Sequence, residues 1–223
     1  MREDNRLEDG WLGRGVKWGR YPLRGLLTVF AVLSPMWAWN ANPQSGWSSL
    51  HAKPGALRLK AQARRSDAPA SVAHQPNVLR TRFPAERFVA TALVDLHGKA
   101  PGAAAGLAVL GRDAAYVAVA RSQEGWEAIF SSGADVLSGG VERVVARRPV
   151  ASGRLWLRLS VEPGARLTFS TSGDGAVFAP IGAELVAREG AWVGARLGLF
   201  TASLATPGPE DHADVEWFRV ETR

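Results

Sequence analysis

The nonapeptide RLWLRLSVE, Arg154–Glu162, carries the clearest structural signal in the chain. Leucine or valine stands at every second position, and polar or aromatic residues stand between them. Successive side chains of a β-strand point to opposite faces of the sheet, so this period of two predicts a strand with one buried face. We therefore expect Leu155, Leu157 and Leu159 to face a core, and Trp156 to point to the opposite side.

Further β-rich runs follow one another through the rest of the chain, separated by Gly, Pro or Asp turns. They are Phe88–Leu96, Ala104–Leu110, Ala114–Arg121, Trp126–Ser131, Val141–Val150, Leu167–Thr171, Val193–Phe200 and Val215–Val220. Ser172-Gly173-Asp174-Gly175 predicts a hairpin, since Asp-Gly favours the positive φ angles of tight turns. No segment keeps a helical period over three turns. About ten short strands at this spacing indicate an all-β protein, an antiparallel β-sandwich or jelly roll.

The chain divides into a leading segment, residues 1–28, and a sandwich domain, residues 29–223. Gly25–Trp39 is apolar and uncharged. We therefore expect residues 1–28 to be a disordered or apolar tail, or a segment that resembles a secretory signal. In a further interpretation Val29–Trp39 is the first strand of the domain. The apolar run Leu26–Leu33 is far shorter than the ~20 residues of a membrane span, so we expect none. Secreted, periplasmic and cytoplasmic locations all stay open.

The charge of the protein argues against nucleic acid as a partner. The 223 residues have a formal net charge of +6, but residues 77–223 carry sixteen basic and sixteen acidic groups. A nucleic-acid-binding protein concentrates its basic groups on one face to neutralise phosphates. The excess here lies in the leading part of the chain. The absence of Cys excludes disulfides, thiolate-bound zinc and a cysteine nucleophile, and is compatible with either redox compartment.

Metal-ligating residues are few. The four histidines are His51, His74, His97 and His212, and none has a His or Cys partner at ligand spacing along the chain. Glu210-Asp211-His212-Ala213-Asp214 is rich in carboxylates, and Asp211 and Asp214 are weak candidates for Ca²⁺ ligands. We favour a simpler interpretation, a polar loop that leads into the last strand. No other cofactor is expected.

Catalysis has little support in the sequence. Glycoside hydrolysis needs two carboxylates that face each other across a sugar. Asp214 and Glu216 alternate on one predicted strand and so share a face, and no second acidic strand is predicted opposite them. No Gly-x-Ser-x-Gly elbow supports a serine nucleophile either. We expect no catalytic residues in this chain.

Tryptophan is the more informative residue type, with nine copies. Aromatic rings stack on the apolar faces of sugars and anchor protein interfaces at small entropic cost. Trp37 and Trp39 lie two residues apart and share one strand face, which is a core face or a contact surface. Trp156 is either covered by a neighbour or part of an exposed apolar patch together with Trp37 and Trp39.

Together these residues resemble the C-terminal concanavalin A-like β-sandwich of family 43 glycoside hydrolases of the β-xylosidase and arabinofuranosidase type. The resemblance runs from about Val29 to the end of the chain. Its motifs are Trp37-Ala38-Trp39-Asn40-Ala41-Asn42-Pro43, Pro54–Leu59, Ala105-Gly106-Leu107 with Gly111 and Tyr116, Phe169–Gly175, Phe178–Gly182, Gly190–Ala195, Gly198-Leu199-Phe200 and Ala213–Arg219. The resemblance favours Val29–Trp39 as the first strand. Ala38, Ala41 and Glu216 depart from the family pattern, which weakens a direct sugar contact by the first strand.

The resemblance implies a non-catalytic accessory module. In that family a separate five-bladed β-propeller supplies the catalytic residues, so the expected partner is a catalytic propeller or a xylan-type oligosaccharide. Trp37, Trp39, Asn40 and Trp156 are the candidate contact residues. The short segment before the sandwich suggests a truncated gene product, which a propeller reading frame upstream would support.

Two other functions stay open. One is a stand-alone secreted carbohydrate-binding protein, favoured by the tryptophan content and the signal-like leading segment. The other is an autonomous sandwich glycosidase that uses Asp214 or Glu216.

Overall fold

The chain folds into two β-sheets that lie face to face. The computed structural model describes residues 37–63, 70–98, 101–190, 193–203 and 211–222. The strand predicted from RLWLRLSVE forms with the expected bounds and buries its leucines alternately, because the period of two matches a sheet with one core face. The predicted antiparallel sandwich of an all-β protein is confirmed.

Within the described residues, and with strands numbered along the chain, the first sheet comprises eight strands: β1 (Ala38–Trp39), β4 (Gln62–Ala63), β5 (Leu79–Arg82), β7 (Ala103–Leu110), β8 (Ala114–Arg121), β9 (Trp126–Gly133), β10 (Arg143–Val150) and β15 (Arg196–Ser203). Their order is β1-β5-β15-β7-β8-β9-β10, with β4 beside β15. All pairs are antiparallel except β4 with β15.

The second sheet also comprises eight strands in the part of the chain that the structure describes: β2 (Ser48–Ser49), β3 (Leu57–Lys60), β6 (Phe88–His97), β11 (Arg154–Glu162), β12 (Arg166–Ser172), β13 (Ala179–Pro180), β14 (Leu185–Val186) and β16 (His212–Thr222). Their order is β13-β12-β11-β6-β16-β3-β2, with β14 beside β12. A bulge between Val215 and Trp217 interrupts the pairing of β16 with β6. β3, β11 and β12 alternate buried residues with more exposed ones, whereas β6 is buried from Phe88 to Val94.

The main core fills the space between the sheets. Its largest fully buried side chains include Phe88, Phe130 and Phe169, and the rings of Phe130 and Phe169 lie 5.5 Å apart. Burial of large apolar side chains contributes roughly 1.5–3 kcal/mol each, so this layer is the main source of stability.

A second apolar cluster covers the outer face of the first sheet. Tyr116 and Phe200 point outward from β8 and β15 and pack with Val72 and Val136, which lie in the 3-10 helices Val72–His74 and Val136–Ser138. The polar, Pro-containing composition of residues 64–76 predicts a surface connection. For residues 71–75 this prediction is wrong, because Ser71, Val72 and Gln75 are buried over the sheet. β7 and β8 are unbroken apolar runs, and this sequence pattern indicates strands whose side chains are buried on both faces of the sheet.

The predicted hairpin at residues 172–175 forms, but its loop is longer than a tight turn. β12 pairs with β13 across residues 173–178, and Gly175 has the expected positive φ, +79°. Ser172 donates to Asp174 Oδ1, which also accepts the backbone N–H groups of Ala176 and Val177. These hydrogen bonds lower the pKa of Asp174 to about 2, and the bond from Ser172 has the largest effect. They also hold the loop in shape.

The N-terminal predictions lie mostly outside the described residues. The leading segment 1–28 and residues 29–36 of the predicted first strand lie outside the described residues. β1 is the part of that predicted strand that is described. Among the described residues, no helix combines the length and apolar character of a membrane span.

Candidate functional site

The outer face of the second sheet carries a cluster of paired aspartates and histidines. On β6, Asp95 and His97 flank the buried Leu96; on β16, His212 and Asp214 flank the buried Ala213. The register sets Asp95 opposite Asp214 and His97 opposite His212. Because alternation turns all four side chains to the same side, they meet on one patch, which we call the Asp–His cluster (Asp95, His97, His212, Asp214).

The two histidine rings are stacked. Their centroids lie 4.7 Å apart with an interplanar angle of 22°. His97 Nε2 lies 3.2 Å from Asp95 Oδ2 and 3.6 Å from Asp214 Oδ2. No histidine has a His or Cys partner at ligand spacing along the chain, but in space His97 and His212 are neighbours. The pairing of β6 with β16 brings the two rings together. In the sequence, this contact is indicated only by the mirrored patterns Asp-x-His in β6 and His-x-Asp in β16.

Lysine and arginine side chains neutralise the carboxylates of this patch. Lys53 Nζ lies 2.6 Å from Glu216 Oε1, 3.4 Å from Asp214 Oδ2 and 3.9 Å from Asp95 Oδ2. Arg58 binds Asp214 in a two-pronged contact, Nε to Oδ1 at 2.8 Å and Nη2 to Oδ2 at 3.0 Å. The Asp214 side chain is only 1% exposed, so its charge depends on these partners.

The carboxylates of Asp214 and Glu216 are both ionised at neutral pH. Burial by itself raises each pKa, but hydrogen bonds and positive charges outweigh it, and the net shift of each pKa is downward. The partners are Arg58 and Lys53 for Asp214, and Lys53 and Arg154 for Glu216. Because both carboxylates contact Lys53 Nζ, they share a face, as predicted. Neither is suited to be the general acid of glycoside hydrolysis, which needs a raised pKa.

Trp156 lies on the same outer face and is covered by neighbours. Its ring meets that of Trp217 edge to face, with centroids 5.3 Å apart. Gly175 of the 173–178 loop approaches so closely that a Cβ there would lie 2.7 Å from the Trp156 ring. Beside it, the Arg158 guanidinium stacks 3.4 Å from the ring centre of Phe178. Trp156 is thus partly buried, and a role in an interface stays a prediction.

Trp37 and Trp39 both face inward from β1, as their spacing requires. Trp37 meets Phe218 edge to face at 5.3 Å, and Trp39 meets Trp47 at 5.6 Å. Both are partly buried against the main core. The large exposed apolar side chains of the described residues are leucines and valines, and Trp37, Trp39 and Trp156 are each of intermediate exposure. Contact of these tryptophans with a sugar or a propeller stays a prediction.

Asn40 fastens the segment that covers the first sheet. Its Nδ2 donates to the carbonyl groups of Ala73 and Gln75, both at 2.9 Å, and its backbone N–H donates to Val78 O. The side-chain amide of Asn40, which was predicted to contact a ligand, thus holds the 3-10 helix Val72–His74 in place. A ligand contact by Asn40 stays a prediction.

We expect Asn40→Ala to lower the free energy of unfolding by about 1–2 kcal/mol, because two carbonyl groups lose their donor. Urea unfolding measures the loss. Asn42→Ala, at an exposed position two residues further on, is the control. An equal effect in the two variants would contradict the fastening role.

The two calcium candidates, Asp211 and Asp214, are both buried. Asp211 is buried, 6% exposed, and its carbonyl accepts the N–H of Ala61. Asp214 is instead joined by Asp95 and the two histidines. Calcium binding by Asp211 and Asp214 stays a prediction.

A group of arginines lies on the outer face of the first sheet, near its β1 edge. Leu79 and Thr81 of β5 point inward, so Arg80 and Arg82 point outward, and Arg196 of β15 pairs with Arg82. We call these three residues the arginine face. The Nε atoms of Arg80 and Arg196 are buried and have no hydrogen-bond partner within the described ranges. Burial and the neighbouring Arg196 lower the pKa of Arg80.

A cavity of about 500 Å³ is lined by Phe83, Ala195, Arg112 and Arg188. Phe83 and Ala195 pack against the main core, Arg188 is bound by Asp113 and Asp135, and none of the three residues of the arginine face lines this cavity. Guanidinium groups without carboxylate partners bind planar anions in a two-pronged manner, so the arginine face itself suits a carboxylate from another molecule or domain. The even spread of arginine along the chain concealed this group from sequence reasoning.

Comparison with protein families gives one match. A family model described as the β-xylosidase C-terminal concanavalin A-like domain matches residues 30–221. Among curated proteins, no sequence matches the chain significantly.

Several solved structures with the same fold are described as GH43 proteins. A "Bifunctional GH43-CE" protein of Bacteroides eggerthii has a TM-score of 0.72 and 23% identity over 84% of this chain. The GH43 protein BlXynB of Bacillus licheniformis has a TM-score of 0.70 and 20% identity over 84% of this chain. A xylan β-1,4-xylosidase of Bacillus halodurans has a TM-score of 0.65 and 19% identity over 91% of this chain. The chain spans 24%, 37% and 43% of their lengths, respectively, and at such identities the likeness shows the fold alone.

Proposed function

The chain belongs to the family of β-xylosidase C-terminal concanavalin A-like domains, and on this premise we propose that it is a non-catalytic accessory module. Its partner is the catalytic propeller of a family 43 glycoside hydrolase that acts on xylan, carried on the same or on a separate polypeptide. The observation that carries the proposal is the family match over residues 30–221.

The state of the carboxylates supports a non-catalytic role. Asp214 and Glu216 lie on one strand, each bound to at least two cationic side chains. Hydrolysis requires one protonated carboxyl group and a second carboxylate on the opposite side of the sugar. The low pKa values of both groups oppose the first requirement, and their common face opposes the second.

The arginine face supports docking of the propeller. A buried Nε without a partner costs free energy, and a partner carboxylate removes that cost. Two such atoms, on the neighbouring strands β5 and β15, match an acidic patch of another domain. In this proposal the acidic patch belongs to the propeller.

The first test is an activity assay. The purified chain is incubated with aryl β-xyloside and aryl α-arabinofuranoside substrates, and we expect no turnover above the buffer control. Turnover that survives repurification and is lost in Asp214→Asn would overturn the proposal and favour a sandwich glycosidase. Titration with xylo-oligosaccharides in a calorimeter addresses the carbohydrate-binding alternative, for which we expect no heat of binding.

The second test addresses docking. Family 43 propellers encoded in the same genome are expressed separately and titrated with the chain. We expect Arg80→Glu/Arg196→Glu to weaken complex formation at least about tenfold, because charge reversal places carboxylates against carboxylates. Arg143→Glu, on the opposite edge strand β10, is the matched control. Equal affinity for the double variant and the control would place the docking surface elsewhere.

A further inference from the structure

We propose that the Asp–His cluster is a binding site for a divalent transition-metal ion such as Zn²⁺, with His97, His212 and Asp214 as ligands. One nitrogen from each ring and one oxygen of Asp214 all lie within 4.8 Å of one another. The site is independent of the proposed docking function, because it lies on the other sheet from the arginine face.

The ligand set determines the class of metal. Two imidazoles and one carboxylate are the donors that Zn²⁺ and its neighbours prefer, whereas Ca²⁺ and Mg²⁺ prefer oxygen ligands alone. Metal–ligand bonds of about 2.0–2.1 Å place tetrahedral donors about 3.3 Å apart. The present separations therefore need to shrink by about 1.5 Å at most. His97 is 44% exposed and has room to rotate.

The backbone holds the ligands in place before a metal arrives. His97 and His212 are direct partners at the end of the β6–β16 ladder, and His212 also pairs with Lys60 of β3. Asp214 lies two residues further along β16, and Arg58 fixes the orientation of its carboxylate. Ligands on rigid strands with an oriented carboxylate lose little freedom on binding.

Lys53 competes with the metal ion for the carboxylates. Its ammonium group lies 3.4 Å from Asp214 and 3.9 Å from Asp95, close to where a cation belongs. Its shortest contact, 2.6 Å, is to Glu216, outside the cluster, and its side chain is 35% exposed. Lys53 can therefore retreat to Glu216 when a metal ion enters. It follows that removal of this side chain strengthens metal binding.

Calorimetric titration of the EDTA-treated full chain with ZnCl₂ tests the proposal. We expect one site, at least about tenfold weaker binding in His97→Ala and in His212→Ala, and severalfold tighter binding in Lys53→Ala. His74→Ala is the control, because His74 lies over the other sheet and contacts Val136. CaCl₂ in place of ZnCl₂ should bind more weakly.

A spectroscopic arm identifies the ligands directly. Co²⁺ in place of Zn²⁺ should give the intense visible absorption of a four-coordinate site, absent in His97→Ala/His212→Ala. Circular dichroism verifies that each variant is folded. Absence of Zn²⁺ binding in both the folded wild type and Lys53→Ala, or equal binding in the double histidine variant, would overturn the proposal.

Discussion

Arg58→Met is expected to lower the free energy of unfolding by about 3 kcal/mol, because it leaves the Asp214 carboxylate buried without its main partner. The side chain of Asp214 is 1% exposed, and Arg58 supplies both of its short contacts, at 2.8 and 3.0 Å. Lys53, at 3.4 Å, limits the loss to the lower end of the range for broken buried pairs. Urea unfolding followed by tryptophan fluorescence measures it.

Two further variants separate the buried charge from the loss of packing. In Arg58→Met/Asp214→Asn no charge is left uncompensated, so we expect at least about half of the lost stability to return. Lys60→Met, on the same face of β3 but exposed, should change stability by less than about 0.5 kcal/mol. A double variant no more stable than Arg58→Met would contradict the buried-charge explanation.

Gly182→Ala should destabilise the protein by about 3 kcal/mol or more, for two reasons that add. Gly182 has φ +78°, which costs an alanine about 1–2 kcal/mol, and its Cβ would lie 2.1 Å from Cδ1 of Phe130. Phe130 is 1% exposed in the main core, so it has no space to yield without repacking, which costs about 1–3 kcal/mol.

Gly173→Ala is the matched control for this substitution. A Cβ at Gly173 meets nothing within 4 Å, and its φ is outside the left-handed region. We expect a change of less than about 0.5 kcal/mol there. Thermal and urea unfolding of both variants provide the comparison. Similar stabilities of the two would show that Phe130 adapts and would contradict the packing argument.

Several elements were predictable from the sequence because their signals are local. The bounds of β8 and β11 agree with the predicted runs Ala114–Arg121 and Arg154–Glu162. The predicted strand from Val141 instead begins at Arg143. Its first residues leave the sheet because the carboxylate of Glu142 accepts hydrogen bonds from Ser71 and the N–H of Val72. Those partners are far away in the sequence, so no local pattern shows this.

The candidate site was predictable in part. Alternation identified the common face of Asp214 and Glu216 and the outward direction of Trp156. It did not identify the partners: Lys53 and Arg58 reach Asp214 from distant segments, and Asn40 proved to fasten a covering segment. The bulge after Val215 also lacks a sequence signal.

The sequence alone determined that the chain is a β-sandwich, which side chains face its core and which family it resembles. These properties follow from the period of two and from short motifs, which depend on near neighbours. Only the tertiary structure decided that His97 meets His212 and that Arg80 lies beside Arg196. Strand order and register decide such meetings, and they arise from the packing of whole sheets rather than from spacing along the chain.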